Sequence, residues 1–337
     1  MKIIIDAYGG DHAPSEIIKG ALAALKEKDD FDIVFVGKED GIKNVLAAET
    51  YDKLRVSIAN AAEVISCEES PTEAIRKKPD SSIVRGVKLL KEDENAKAFV
   101  SAGSTGATLT AAVLLLPRIK GVVRPALAPT FPNMQGGETL FLDCGANVDC
   151  KAVNLVQFAV MGSVYMREVK GVKNPRVALL CNGTEDAKGN ALTKEAFSLL
   201  KAKENINFVG NMEARDILSG DYDVIVTDGF SGNVALKSME GAIGCIFSEL
   251  KSAIYSSFST KIGGALLKKS FKKIKDKLDY NKKGGALLLG MQKTVVKAHG
   301  GSKAEAIKNA VLQAYECSAL DISEKIGREL AFIGETV

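Results

Sequence analysis

Four short stretches of small and polar residues hold the groups that could do chemistry. Lys2–Asp6 is followed by Ala7-Tyr8-Gly9-Gly10-Asp11-His12-Ala13-Pro14, and Ala98–Val100 by Ser101-Ala102-Gly103-Ser104-Thr105-Gly106. Thr139–Asp143 is followed by Cys144-Gly145-Ala146-Asn147, and Asp223–Thr227 by Asp228-Gly229-Phe230-Ser231-Gly232-Asn233. Each stretch comes after an apolar run that reads as a buried strand. Gly9, Gly10, Gly103, Gly106, Gly145 and Gly232 would let backbone N–H groups come close to an anion. A helix start behind such a loop adds unpaired N–H groups and a partial positive charge. Ser101, Ser104 and Thr105 add hydroxyl donors. The bland alternative is an ordinary tight strand–helix turn at each place. Four of them favour one cleft at the carboxyl ends of several strands.

The titratable and neutral polar residues in these loops suggest roles. His12, with Asp11 beside it, could give a proton or hydrogen bond to a leaving group or a phosphate; a loop-capping histidine is the alternative. Asp6 and Asp143 end strands and could orient donors or bind a metal, with helix capping as the plain reading. Asp228 opens the fourth loop. Asn147 and Asn233 offer neutral donors that do not repel an anion. Lys188 and Lys237 sit in or just after two loops and could supply positive charge, although most lysines are simply solvated. Cys144 and Cys150 could be nucleophiles, but the sequence specifies no base partner for either.

Several familiar sites are missing. There is no GxxxxGK[ST] loop, no GxGxxG, no HExxH and no GxSxG. Only His12 and His299 are histidines, which excludes a histidine-rich metal centre; no metal and no cofactor are expected. The chain has 337 residues, 46% hydrophobic, with 31 glycines and 8 prolines, which suits a loop-rich enzyme with a large core and no disordered linker. The six cysteines, at 67, 144, 150, 181, 245 and 317, lack zinc-ligand spacing and suggest a reducing cytoplasm. No apolar run reaches a membrane-spanning length, and the opening MKIIIDAYGG places an aspartate where a secretory peptide would stay apolar.

The elements that must position these residues alternate. Strands are expected at 2–6, 31–37, 55–58, 98–100, 139–143, 176–181, 207–210 and 223–227. Helices are expected at 14–25, 39–48, 71–77, 81–91, 108–116, 151–168 and 191–203, with a helical turn at 213–218. Prolines 117, 125, 129 and 132 hold the intervening connection extended. This pattern predicts a doubly wound, mixed but mostly parallel α/β sheet with flanking helices, in one catalytic unit over 1–337. From 234 the chain turns helical, and short strands at 286–289 and 294–296 precede a helix at 302–319.

Charge is uneven. Residues 261–283 hold nine lysines against two aspartates, a local +7, while the other 36 basic and 40 acidic residues leave −4. Ile243, Phe247, Leu250, Ile254 and Phe258 recur at helical spacing, as do Leu267, Phe271, Ile274 and Leu278. The region around 240–285 is therefore expected to be a helical, lysine-rich part for contact with a second copy, a carrier protein or a membrane. Lys268, Lys269, Lys272 and Lys273 are its candidate docking residues; a solvated edge is the alternative. A charge so local gives no reason to expect nucleic acid.

The loops also carry a resemblance. Asp6–Pro14, Ser101–Ala107, Leu142–Lys151, Gln157–Ser163, Thr227–Val234 and Lys297–Ser302, in order along essentially the whole chain, resemble the bacterial phosphate acyltransferases of phospholipid synthesis. Two positions depart from the pattern: Tyr8 stands where methionine is usual and Ser104 where asparagine is usual. The resemblance implies an α/β core of the isopropylmalate dehydrogenase and phosphotransacetylase type, with a helical dimer arm. It implies transfer of a long-chain acyl group from acyl carrier protein to inorganic phosphate. The acyl-phosphate would pass to a membrane glycerol-3-phosphate acyltransferase. A homodimer in the cytoplasm, working at the inner membrane face and touching an anionic surface, is also implied. The rival readings are a phosphotransacetylase acting on acyl-CoA, a β-decarboxylating dehydrogenase, and a non-enzymatic membrane scaffold.

Overall fold

The apolar runs at Lys2–Asp6 (β1) and Ala96–Ser101 (β4) are neighbouring parallel strands in the computed structural model. The structure describes residues 1–278 and 284–334; the side chains of 273, 275–278 and 332–334 lie outside that description. The first sheet has seven strands. In order these are β3 (Val56–Asn60), β2 (Asp32–Gly37), β1, β4, β12 (Thr294–Lys297), β11 (Ala286–Leu289) and β5 (Ala126–Ala128). All pair in parallel except β11, which is antiparallel to both of its neighbours. The second sheet has five strands in the order β6 (Thr130–Pro132), β7 (Glu138–Leu142), β10 (Val224–Val226), β8 (Val177–Cys181) and β9 (Phe208–Glu213). Only β6 runs antiparallel.

Both faces of the first sheet are covered, which is why its strands read as unbroken apolar runs. Ile3, Ile5, Ala98 and Val100 belong to one core; Ile4, Ala96 and Phe99 belong to the other. The first face carries α1 (Ser15–Glu27) and α10 (Ala304–Ala319), and Ile17, Ile18, Ile307 and Val311 join its core. Glu16 of α1 accepts a hydrogen bond from the Ala304 N–H at 2.9 Å, so it serves the N-terminus of α10 as well as its own helix. The opposite face is covered by α4 (Ser82–Glu92) and α5 (Thr105–Leu115), with α3 (Pro71–Lys77) against α5. α2 (Glu39–Leu46) flanks β2 and β3. In the second half α6 (Ala152–Glu168) is buried along most of its length and packs on β7 and β10, with α7 (Ala191–Lys201) and α11 (Ile322–Gly334) against it.

The chain passes from one sheet to the other at Pro129. The stretch 117–132 is not merely extended: β5 and β6 lie on either side of that proline. The Cys144 N–H donates to the Leu127 carbonyl at 2.9 Å, which ties the loop after β7 to the first sheet. Two helix starts fall earlier than the sequence pattern suggests. α5 begins at Thr105, so Thr105 and Gly106 are first-turn residues rather than loop. α8 (Gly229–Tyr255) begins at Gly229, so Phe230, Ser231, Gly232 and Asn233 are helical. In both cases a side-chain cap decides the start: Ser104 accepts from the Ala107 N–H, and Asp228 from the Ser231 N–H at 2.9 Å. α8 is buried at Gly229, Gly232 and Leu236 only; it then runs outward and packs against α9 (Phe258–Leu278). Among the described residues, no helix is long and apolar enough to cross a membrane.

Candidate active site

The carboxyl ends of β1, β4 and β12 stand side by side, and their last residues are Asp6, Ser101 and Lys297. Ser101 donates its hydroxyl to the Asp6 carboxylate at 2.6 Å and accepts the Gly103 N–H at 3.0 Å. The second Asp6 oxygen accepts the Tyr8 N–H at 3.2 Å. Asp6 is thus spent on shaping two loops, and burial, partly offset by these hydrogen bonds, raises its pKa. Asp143 does the same in the second half. It accepts N–H groups from Leu127 (2.9 Å), Ala146 (3.1 Å) and Asn147 (2.7 Å), and the Asn147 amide at 2.8 Å. Burial again raises its pKa.

Between these strand ends lies a cavity of about 370 Å³. Gly103 and Thr105 at the start of α5, Gly145 after β7, and Asn233 and Lys237 on α8 all border it. So do Lys297 and His299 after β12, Cys144, and Cys67 from the loop before α3. Of the expected site residues, Gly103, Thr105, Gly145, Asn233 and Lys237 therefore come together. Lys237 is ion-paired with Glu240 at 2.7 Å.

Other expected residues support the cavity without lining it. Both Asn147 amide hydrogens are taken, by the Pro125 carbonyl at 2.7 Å and by Asp143, so neither is left as the free neutral donor expected there. Gly9 and Gly10 pack against Gly103, Ala102 and Gly300. Gly106 packs against Pro71, and Gly232 against the Asp143 carbonyl, at contacts where a side chain would collide. Ser104 is a helix cap. The unusual Tyr8 lies over Gly37 and Gly41, where neighbouring side chains would overlap its ring and hydroxyl.

His12 is exposed and is not among the cavity's lining residues. The imidazole that lines it is His299, whose Nδ1 accepts the Gly301 N–H at 3.1 Å and so leaves the proton on Nε2. Lys188 is exposed in the loop 182–190. Asn182, Gly189 and Asn190 of that loop border a second, larger cavity of about 960 Å³. Leu180, Ile217, Leu218, Phe230, Val234 and Met239 make its walls largely apolar, and Asp228 lines this cavity rather than the smaller one. The two cavities use opposite faces of α8: Asn233, Leu236 and Lys237 on one, Val234, Ala235 and Ser238 on the other.

Lys297 and His299 were not singled out from sequence, although both lie in the Lys297–Ser302 motif. Cys144 is buried and its thiol is pushed well above its usual value by burial; burial also raises Cys150, to about 11. Neither is set up as a thiolate nucleophile. On α9, Lys268, Lys269 and Lys272 are exposed, and the Lys273 side chain lies outside the described residues, as do residues 279–283 of the basic segment.

A family model described as "Fatty acid synthesis protein" matches residues 1–325. A curated phosphate acyltransferase from Bacillus mycoides is 48% identical over 322 residues, 96% of each chain. Another from Halothermothrix orenii is 49% identical over 336 residues, 99% of this chain and 100% of the relative. The chain belongs to the phosphate acyltransferase family. It is an acyltransferase of fatty-acid and lipid metabolism. Among solved structures, a phosphotransacetylase from Streptococcus pyogenes aligns with a TM-score of 0.62 at 20% identity, covering 96% of this chain and 94% of that one. A branched-chain phosphotransacylase from Enterococcus faecalis gives 0.55 at 14% identity, covering 94% and 98%. These two establish that the family member has the phosphotransacetylase fold.

Proposed function

We propose that this phosphate acyltransferase moves a long-chain acyl group from acyl carrier protein to inorganic phosphate, releasing acyl-phosphate and the free carrier protein for phospholipid synthesis. The observation that carries the reading is the cavity between the strand ends, where a helix start, glycine-lined backbone and cationic side chains converge. Phosphate is anionic at neutral pH, so its attack on a thioester needs little help from a base. The demanding tasks are to hold it in line and to stabilise the carbonyl oxygen as it gains charge. The α5 start at Gly103 and Thr105 suits the phosphate, and Asn233 and Lys237 suit the developing oxyanion. In the direct displacement proposed here, a phosphate oxygen bonds to the carbonyl carbon while the carbon–sulfur bond breaks. The departing pantetheine thiolate can accept a hydrogen bond from the His299 Nε2–H and takes its proton from solvent; His12 does not line the cavity. The larger apolar cavity on the other face of α8 is assigned to the acyl chain, with Lys188 at its loop.

The arm of α8 and α9 is assigned to docking. Leu250, Tyr255, Phe258, Ile262, Leu266 and Leu267 are exposed on it beside Lys268, Lys269 and Lys272. An apolar face with flanking lysines fits a second copy of the chain, the acidic carrier protein and an anionic leaflet. The product would be taken up there by a membrane glycerol-3-phosphate acyltransferase.

The test is thiol release from purified long-chain acyl carrier protein, with and without inorganic phosphate, paired with mass detection of acyl-phosphate. Phosphate-dependent release with that product is the expected result. Release without phosphate, or reaction of acyl-CoA alone, would reassign the chain to a thioesterase or a CoA-dependent transacylase.

A further inference from the structure

Lys297 is a buried cation that lines the cavity between the strand ends. Only 7% of its surface is exposed, although lysine is among the residues least often buried. It is the last residue of β12 and stands in register with Ser101 on β4, next to the Ser101–Asp6 hydrogen bond. Its Nζ donates to the carbonyl of Ala298, a neutral partner. Asp6 is the buried carboxylate in its field, and that group is already engaged by Ser101 and Tyr8. Taking an ammonium out of water to this extent is costly unless an anion compensates it. The cavity it lines is also bordered by the backbone of Gly103, Gly145 and Gly300 and by Thr105.

We infer that Lys297 is a catalytic residue which receives the phosphate in this cavity as a direct ligand and holds it for attack. The inference rests on the acyl-transfer reading above and adds to it the residue that selects the anion. The charged and titratable groups around it are Asp6 and Asp11 from the β1 end, Cys67 from the loop before α3, Lys237 from α8, and His299 beyond β12. Burial, with Lys237 as a smaller cause, disfavours the ammonium and outweighs Cys67, Asp6 and Asp11, so Lys297 falls to about 8. Phosphate binding restores the missing countercharge. Above about pH 8 the lysine enters the binding step uncharged, while inorganic phosphate stays dianionic and so contributes no fall of its own there.

The experiment measures kcat and KM for inorganic phosphate from pH 6.5 to about 9.5, together with phosphate-induced thermal shifts, on wild type, Lys297→Gln and Lys297→Arg. Wild type is expected to lose kcat/KM for phosphate about tenfold per pH unit above pH 8, with its phosphate-induced shift fading in parallel. K297Q is expected to lose about 100-fold in kcat/KM for phosphate and to show no phosphate-induced shift. K297R keeps its charge and is expected to retain phosphate binding and lose the alkaline limb. A K297Q enzyme with wild-type KM for phosphate and an unchanged alkaline limb would overturn the inference. If K297Q does not fold, a wild-type phosphate affinity that stays constant from pH 7 to 9.5 would overturn it equally. A wild-type enzyme without any phosphate-dependent acyl transfer would instead defeat the functional reading, and the thermal shift with phosphate alone would still judge Lys297. A purely structural lysine would lower Tm in K297Q without moving the phosphate dependence.

Discussion

The backbone of Gly9 lies so close to that of Gly103 that a Cβ on Gly9 would stand 2.5 Å from the Gly103 nitrogen and 2.5 Å from an Asp6 carboxylate oxygen. Two loops that begin far apart in sequence are thereby pressed into one wall, with Gly103 facing the cavity. Gly9→Ala must push this wall apart. It is expected to cost about 1–3 kcal/mol in urea denaturation, and to raise KM for phosphate by more than it lowers kcat. An unchanged KM in a destabilised variant would separate the wall from the anion site.

Asn147 supports the other half. Removing its amide in Asn147→Ala leaves Asp143 and the Pro125 carbonyl each short of a donor in a buried place. The expected loss is about 1–3 kcal/mol of stability, read from denaturant unfolding. Wild-type stability in this variant would mean that the Asp143 contacts to Leu127 and Ala146 suffice.

Asp6 gives a pH signature in stability. Its folded-state pKa is raised from 3.8 by burial, so the folded state binds more protons than the unfolded one just above that value. Stability credited to Asp6 is greatest below pH 3.8 and falls as pH rises through the folded pKa. Asp6→Asn keeps the shape and removes the titration. The variant's stability relative to wild type should therefore climb as pH rises from below 3.8 through the folded pKa, and then level off. A relative stability that falls over that range would mean the Ser101 and Tyr8 hydrogen bonds hold the carboxylate form more tightly than burial disfavours it.

The thiols should divide by environment. Cys67 and Cys245 are exposed, whereas Cys144 and Cys317 are buried with raised pKa values, about 12 for Cys317. Iodoacetamide at pH 8 is expected to label the first pair and spare the second in the native protein, as peptide mass mapping would reveal. Cys144→Ala should retain turnover within a few-fold. Loss of activity together with a trapped acyl-cysteine in wild type would replace direct displacement with a covalent route.

On the arm, changing Lys268, Lys269 and Lys272 together to Gln is expected to weaken binding to anionic vesicles by about 1 kcal/mol per lysine and to flatten its salt dependence. Vesicle co-sedimentation and titration with acyl carrier protein at two ionic strengths measure both candidate partners. Unaltered binding to both would leave these lysines as a solvated edge.

Much of this architecture is legible in the sequence because it rests on local patterns. The apolar runs of β1, β4 and β7, and the glycine and Asp/Ser chemistry at their ends, announce strand–loop–helix units. Thr105, Gly145, Asn233 and Lys237 follow from those ends. Lys297 does not. TVVK reads as a short strand with a surface lysine, and its burial comes from β12 inserting between β4 and β11, a pairing that no local pattern reports. Asn147 is misleading for a related reason. Its residue type fits a catalytic donor, but the carbonyl of Pro125 that occupies it arrives from the crossing between sheets. β5 and β6 were hidden by their three-residue length and by the prolines around them.

α8 spans 27 residues, about 40 Å at the rise of an α-helix, and has no break between its two ends. One end is clamped by the Asp143 loop at Gly232; the other carries the apolar and basic arm. A single continuous helix therefore carries both the cavity-lining Asn233 and Lys237 and the exposed arm, so the cleft and the outer surface share one backbone with no loop in between.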